Sequence, residues 1–396
     1  MDRVELKRGR ARPAWAGHPW IFGGAVARTS GEPGPGDLVA VLDERGTVIG
    51  HGHRGGDGPI AVRMLSLGES TPNETELIRT RLEEAIARRS LLGLPSDETT
   101  AFRLVASEGD RLPGLIVDRL GEGVVIQFGT AGMLRLEGAV KDALIELLSP
   151  DWLVVQVSED AARMEGIAPR SLLVHGEEEA VAATRVLEWG IRHHVDPLGG
   201  QKTGFYADQR ENRRRVAELA SGRTVLDCHC YGAGFGLNAL LRGDARAVTC
   251  IDSSPRVVRL ARRNAEANGA DLRVQQADAA AWLRGPALDD VHDMILLDPP
   301  KFVRSRAHLK DALKKYRKLN ELAMRALPPG GLLVTSSCSG LVTPEVFTRM
   351  LTEAGMRAER QVHVLEVRGQ APDHPFLAAC PESSYLTCVI ATVSPR

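Results

Sequence analysis

Thr224-Val225-Leu226-Asp227 runs into Cys228-His229-Cys230-Tyr231-Gly232-Ala233-Gly234-Phe235-Gly236 and then Leu237-Asn238-Ala239-Leu240-Leu241. A short apolar run, a glycine-rich turn and a helical start make one strand–loop–helix unit, whose glycines let a ligand approach the backbone at a helix amino terminus. Such a loop is common to all dinucleotide-binding folds. Val248-Thr249-Cys250-Ile251-Asp252 narrows it: a second strand ends in a carboxylate about twenty residues on, placed to accept hydrogen bonds from ribose hydroxyls. A third strand, Leu272 to Gln275, leads to Asp278, placed to meet an adenine amino group. The candidate cofactor site is therefore Asp227, Tyr231, Gly232, Gly234, Phe235, Asp252, Ser253, Asp278 and Ala279. Helix capping is the alternative use of Asp252 and Asp278. Cys228-His229-Cys230 lacks the two-residue spacing and partner ligands of a metal centre, so no metal is expected.

Downstream, Asp293-Met294-Ile295-Leu296-Leu297 is a fourth strand that delivers Asp298-Pro299-Pro300-Lys301-Phe302 to the carboxyl edge of the sheet, where open α/β sheets bind ligands. Asp298 and Pro299 extend the cofactor site, and Asp298 can also hydrogen-bond a base. A fifth strand, Gly331 to Thr335, ends in Ser336-Ser337-Cys338-Ser339 and brings a thiol to the same edge. Carbon-5 of a pyrimidine is a poor nucleophile, but a thiolate adding to carbon-6 makes an enamine that can attack a methyl donor. Cys338 is the candidate nucleophile and Asp298 the group that stabilises the adduct at ring nitrogen-3. Two other readings stay open: Cys338 as a small packed residue, and methylation of a purine nitrogen, which also uses an Asp-Pro-Pro turn and needs no cysteine. Lys301 stands where adenine-N6 enzymes usually place an aromatic, which counts against that subclass. A non-catalytic RNA-binding assembly factor is the reading of another class; intact Asp252, Asp278, Asp298 and Cys338 argue against lost chemistry.

From Leu187 onward strands alternate with helices, which predicts a parallel sheet flanked by helices over 187–396. Upstream the pattern differs. Residues 1–72 read as short strands broken by glycine and proline, a small β-barrel or sandwich, with Asp37–Asp43 and Thr47–Gly50 the clearest pair. Residues 73–186 read as a compact α+β domain, with helices over 75–92 and 136–148 and strands at 102–105, 114–118, 124–128 and 152–157.

A formal net charge of -1 excludes a whole-molecule electrostatic case for nucleic acid binding, so any such footprint is local. Lys7, Arg8, Arg10 and Arg12 precede Gly17-His18-Pro19-Trp20-Ile21-Phe22, cations beside aromatics that suit phosphate contact and base stacking; Trp20 and Phe22 as ordinary core is the equal alternative. Lys301, Phe302, Arg304, Arg306, Lys310, Lys314, Lys315, Tyr316 and Arg317 form a second basic run opposed only by Asp311, and Arg210, Arg213, Arg214 and Arg215 are candidates to extend it. The amino terminus lacks a signal-peptide pattern and no apolar run reaches the roughly 18 residues of a membrane span, so a cytoplasmic protein without membrane contact is expected. Six scattered cysteines fit reduced thiols.

Across essentially its whole length the chain resembles the ribosomal RNA cytosine-C5 methyltransferases of the large-subunit methyltransferase I type. The matching segments are Gly17-His18-Pro19-Trp20-Ile21-Phe22, Arg103-Leu104-Val105, Leu112 to Asp118, Gln201-Lys202-Thr203-Gly204-Phe205-Tyr206-Ala207-Asp208-Gln209-Arg210, Asp298 to Phe302, Ser337-Cys338-Ser339, Pro372-Asp373-His374-Pro375 and Pro381-Glu382. The resemblance implies a multidomain fold: an amino-terminal PUA β-barrel, a central small α+β domain and a carboxyl-terminal α/β Rossmann-like class I methyltransferase. It implies S-adenosyl-L-methionine as cofactor, its methionine end covered by Phe205, Tyr206, Asp208 and Arg210. It implies RNA as partner, namely 23S rRNA or an assembling large subunit, and admits a homodimer. Two positions depart from the family: Gly232-Ala233-Gly234 stands where threonine and two glycines are usual, and Leu120 replaces an aromatic.

Overall fold

The computed structural model describes residues 1–200, 203–303 and 306–396. Glycine and proline break the first part of the chain into six short strands: β1 (Arg3–Leu6), β2 (Trp20–Phe22), β3 (Val26–Ser30), β4 (Leu38–Leu42), β5 (Val48–Arg54) and β6 (Ile60–Leu67). They form one sheet in the order β2-β6-β5-β4-β1-β3. All neighbours are antiparallel except β1 and β4. Inward-facing Val4, Leu6, Ile21, Val39, Val41, Ile49 and Val62 fill its core.

A second sheet follows, ordered β11-β10-β9-β8-β7, from β7 (Ala101–Ala106), β8 (Leu115–Leu120), β9 (Gly123–Phe128), β10 (Trp152–Val157) and β11 (Arg170–His175). Asn73 starts the helix Glu74–Leu91 by accepting the Glu76 N–H, supplying a partner to an otherwise orphaned donor. The apolar stripe of that helix, Ile78, Leu82 and Ala85, packs with Val140 and Leu144 of the helix Glu137–Leu148 onto Phe102, Val117, Ile126 and Val155.

Both sheets belong to one compact unit, Met1–Val186, which also takes in Val195–Ala207 and Pro372–Ser383. Asp373 anchors the last of these. Its carboxylate accepts from the Arg103 N–H at 2.8 Å and its carbonyl from Arg89 at 2.7 Å, while Arg89 also forks onto Asp110 at 2.7 and 2.8 Å. Arg89 is 1% exposed, so the fork is what makes burying its charge tolerable. Thr203 is tied into the same unit through its hydroxyl, which donates to Asp118 at 2.5 Å.

The second unit comprises Leu187–His194, Asp208–Ala371 and Ser384–Arg396. The chain enters it through a two-stranded ribbon, β12 (Arg185–Glu188) and β13 (Ile191–His194). The main sheet has the order β16-β15-β14-β17-β18-β20-β19, built from β14 (Thr224–Cys228), β15 (Ala247–Asp252), β16 (Arg273–Gln276), β17 (Met294–Leu297), β18 (Leu332–Ser337), β19 (Arg360–Arg368) and β20 (Thr387–Pro395). The first five strands are parallel; β20 runs antiparallel to β18, and β19 to β20. Successive residues of β17 face opposite cores: Met294 and Leu296 join Val225, Val248 and Val334, whereas Ile295 and Leu297 join Leu226, Tyr316 and Phe347. A strand covered on both faces has no polar side, which is why these runs read as continuous apolar stretches. From β14 the chain builds outward to β15 and β16 on one side and then returns to β17 on the other, so β14 and β17 flank the switch point at which such sheets open a crevice. Among the described residues no helix is long and apolar enough to cross a membrane.

Candidate active site

The glycine loop leaves β14 through alternating left-handed residues, His229 (φ 61°), Tyr231 (φ 46°) and Ala233 (φ 60°), before the helix Gly234–Leu241. Two of its glycines are required by the protein itself. A Cβ at Gly234 would lie 2.9 Å from Cδ of Arg213, and one at Gly236 would lie 2.5 Å from Sγ of Cys250. Below the loop Arg213 Nε donates to Glu188 at 2.6 Å, and Asn238 donates to the Gly234 carbonyl at 2.9 Å and to Glu188 at 3.4 Å. Burial holds His193, beside this network, down to about 4, so it stays neutral near pH 7.

Asp227 is fully buried and one of its oxygens accepts from the Gly236 N–H at 3.1 Å. Its other oxygen, Oδ1, has no hydrogen-bond partner, a buried polar atom of the kind a bound polar ligand satisfies. Burial, with smaller pushes from Asp298 and Asp252 and against the Gly236 N–H, raises its carboxyl to about 8. Those influences also place Asp227, Asp252 and Asp298 near one another at the carboxyl ends of β14, β15 and β17.

Asp252 is half-buried and accepts from the Ser254 N–H at 2.9 Å; Ser253 is exposed. Asp278 is exposed and caps the helix Ala279–Arg284 by accepting from the Ala281 N–H at 2.8 Å. The capping role is thus realised at Asp278, and it leaves the second carboxylate oxygen for other use. Burial lowers the His229 imidazole against smaller opposing pulls from Asp252 and Asp278, so both carboxylates lie near the loop.

Asp298 follows β17, half-buried, and its Oδ1 accepts from Gln209 Nε2 at 3.0 Å. Cys338 follows β18, also half-buried. The two strands are adjacent and parallel, with Leu297 opposite Thr335, so Asp298 falls level with Ser336 and both carboxylate and thiol leave the carboxyl edge of the sheet. Pro299 is buried, Lys301 exposed and Phe302 half-buried.

Several expectations are corrected. Tyr316 is fully buried, its ring 4.8 Å from that of Phe302 and 5.8 Å from that of Phe347, so it is core rather than an RNA platform. Phe235 is 6% exposed and packs with Val225 and Leu237; only the backbone at that position can serve a ligand. The methyl of Ala279 is likewise buried in the core. Arg210 and Arg213 are buried, and Arg215 pairs with Glu366 and Glu218, so these arginines extend no common cationic surface with exposed Arg214. Asp208 is buried and accepts from the Tyr385 hydroxyl at 2.9 Å. Phe205 and Tyr206 lie in the first unit, where Phe205 packs against the cluster of Ala101, Val125 and Trp152. Gln201, Lys202 and Arg304 lie outside the described residues.

In the first unit Lys7, Arg8 and Arg10 are exposed. Trp20 is half-buried, its indole N–H donating to Glu108 at 2.9 Å, and Phe22 is 44% exposed. Ligand atoms of His18, Cys380 and Glu382 lie within 4.8 Å of one another. This donor set does not suit a metal. The Trp20 backbone N–H donates to His18 Nδ1 at 3.0 Å, so the ring proton is on Nε2, facing Glu382, where a metal would need a lone pair. Burial pushes the Cys380 thiol up to about 12.

Sequence reading missed Gln209, Asn212, Arg368 and Glu188. The first was in sight, inside the segment ending at Arg210, but nothing local says which side chain it holds.

A parallel sheet interrupted near one edge by a single antiparallel strand, β20, a glycine loop at its switch point and carboxylates at successive strand ends define an S-adenosylmethionine-dependent methyltransferase. The family model of that description matches residues 145–384, and a PUA-like domain model matches residues 4–67. The chain is 37% identical over 388 residues to ribosomal RNA large subunit methyltransferase I of Tolumonas auensis, covering 97% of each. It is 37% identical over 392 residues to that of Photobacterium profundum, again covering 97% of each. It belongs to the ribosomal RNA large subunit methyltransferase I family. The fold agrees with a structure of SMU.776, a methyltransferase by description, complexed with SAH (TM-score 0.87, 20% identity, 99% of this chain and 100% of that one). It agrees equally with a Streptococcus mutans protein described as a SAM-dependent methyltransferase (TM-score 0.85, 20% identity, 99% and 100%).

Proposed function

We propose that the chain methylates carbon-5 of a cytosine in large-subunit ribosomal RNA, 23S rRNA, through a covalent bond from Cys338 to carbon-6. The observation that carries this reading is the pairing of Cys338 and Asp298 at the ends of adjacent strands. The names of the relatives supply the RNA class. An Asp-Pro-Pro turn alone suits purine nitrogens equally well; the neighbouring thiol favours the pyrimidine.

Cys338 adds as thiolate to carbon-6, the carbon-5–carbon-6 electrons move toward carbon-4, and Asp298 gives its proton to nitrogen-3 as that atom gains the displaced pair. S-adenosylmethionine, when bound, would supply carbon-5 with an electrophilic methyl group and would leave as the neutral thioether. A base then removes the carbon-5 proton, the Cys338–carbon-6 bond breaks as the ring double bond re-forms, and Asp298 recovers the nitrogen-3 proton. One proton is released overall.

For the cofactor, the backbone of Gly232 to Phe235 serves the methionine end with Tyr231, Asp208 and Arg210, Asp252 and Ser253 the ribose, Asp278 and the backbone of Ala279 the adenine, and Asp227, Asp298 and Pro299 the floor. Lys7, Arg8, Arg10 and Trp20 of the PUA-like domain, with Lys301, Phe302 and Arg304, bind the RNA. Residues 1–72 then bind RNA, 73–186 position it and 187–396 carry the chemistry, in a cytoplasmic protein able to form a homodimer.

The test is mass-spectrometric mapping of ribosomal RNA nucleosides from cells lacking the gene, rescued by wild type or by Cys338→Ala. Loss of one 5-methylcytidine restored only by wild type is expected. Loss of a methylated purine, restored by both, overturns the mechanism.

A further inference from the structure

A chain of side chains with a fixed direction ends on Asp298. Arg368 Nε donates to Asn212 Oδ1 at 3.0 Å. A guanidinium has only donors, so this contact sets which way the Asn212 amide faces. Its Nδ2 must then point the other way, where it donates to Gln209 Oε1 at 2.7 Å and to the Gly369 carbonyl at 3.1 Å. The Gln209 amide is fixed in turn, and its Nε2 donates to Asp298 Oδ1 at 3.0 Å. Arg368 itself is held by Glu366 at 2.8 Å, and Glu366 by Arg215 at 2.6 Å. Gln209 and Asn212 are 2% and 1% exposed. Flipping either amide in so dry a place would set donor against donor, at the cost of an unmade buried hydrogen bond.

We infer that Gln209, oriented by Asn212 and Arg368, is a positioning residue that reserves Asp298 Oδ1 as an acceptor and so assigns the carboxyl proton to Oδ2. The inference rests on the reading of Asp298 as donor to ring nitrogen-3. It adds a source of base selectivity. Nitrogen-3 of cytosine accepts a hydrogen bond, whereas nitrogen-3 of uracil carries a proton, so an O–H held on one fixed oxygen matches cytosine and opposes uracil. Because the Gln209 N–H favours the ionised carboxylate, its loss raises the pH at which Asp298 gives up its proton.

Gln209→Leu removes the donor. Asn212→Asp keeps the acceptor for Arg368 but cannot direct the Gln209 amide, and disturbs packing less. For both, kcat on a cytosine-containing RNA is expected to fall about tenfold, with KM for RNA and the calorimetric Kd for S-adenosylmethionine within about twofold of wild type. The basic limb of the kcat–pH profile should move up by about one pH unit, which a merely structural lesion does not do. As a readout independent of turnover, covalent trapping on RNA carrying 5-fluorocytidine should slow in parallel. If Cys338→Ala and Asp298→Asn abolish turnover but both relay variants keep the wild-type kcat and pH limb, the relay inference fails alone. If Cys338→Ala and Asp298→Asn keep turnover, the reading of the site fails first.

Discussion

The hydroxyl oxygen of Tyr316 lies 3.1 Å from Ser337 Oγ, one residue ahead of Cys338. A side chain from the basic run thus braces the strand end that carries the thiol. Burial pushes the phenol up to about 12, so it remains a neutral hydroxyl throughout the working range. Tyr316→Phe is expected to cost about 1 kcal/mol, the net worth of one buried hydrogen bond. It should lower kcat severalfold and leave RNA affinity unchanged. Denaturant melts and gel-shift titrations check this; a weakened RNA complex with unaltered stability would show that the hydroxyl serves the RNA rather than the strand end.

Asp227 gives a pH dependence of stability. Its folded-state value of about 8 exceeds the unfolded one, so between about pH 4 and pH 8 the folded chain keeps a proton that the unfolded chain has released. Stability contributed by this group is therefore present in full at the acid end of that window and is lost as pH rises through it. Asp227→Asn cannot ionise, so its urea midpoint should vary less with pH from 5 to 8 than that of wild type. Parallel curves for the two proteins would mean that Asp227 is ionised in the fold.

How much of this was legible depends on how far apart the partners lie. The strands β14, β15, β17 and β18 announce themselves because they are apolar and buried nearly throughout, and Asp252 and Asp298 could be placed because each ends such a run; β16 is polar with Val274 its one buried residue, so Asp278 had only the order of the elements to place it. Tyr316 was readable in principle: Ala312, Tyr316, Leu319 and Ala323 share the buried stripe of the helix Leu309–Ala326. The basic residues around them drew attention to the other face. Arg213 was not readable, since the Glu188 that buries it lies 25 residues upstream. Nor was the return of Pro372–Ser383 to the first unit, which depends on Asp373 meeting Arg103 across 270 residues of chain.

Asp278 both caps a helix and, in the proposed site, meets adenine, and one substitution separates the roles. Serine is as good a cap as aspartate but has no second oxygen to offer. Asp278→Ser should leave thermal stability within about 0.5 kcal/mol. It should weaken S-adenosylmethionine binding about five- to tenfold, the loss expected when a charged hydrogen-bond acceptor is removed. Calorimetric titration reads the second number. An unchanged Kd would return Asp278 to capping alone.

Ala233 occupies a left-handed conformation, φ 60° and ψ 30°, immediately before the helix Gly234–Leu241, and is fully buried. Its N–H donates to the Cys230 carbonyl and its carbonyl accepts from Leu237, both at 2.8 Å, so the backbone cannot relax without losing the loop. A non-glycine residue there costs about 1–2 kcal/mol. Against this stand about 0.8 kcal/mol from the buried methyl and up to about 1 kcal/mol of unfolded-chain freedom that alanine withholds. The terms nearly cancel, which explains why alanine is tolerated in a left-handed turn where glycine would carry no strain. Ala233→Gly should therefore change stability by less than about 1 kcal/mol and leave cofactor affinity intact. Ala233→Val keeps the buried apolar surface but adds a branch at Cβ, for which the left-handed region is a true outlier, and should destabilise by more than about 2 kcal/mol. Denaturant midpoints for the pair decide the matter: a large gain from glycine would show that the methyl contributes little, and a harmless valine would show that the loop can leave its left-handed turn.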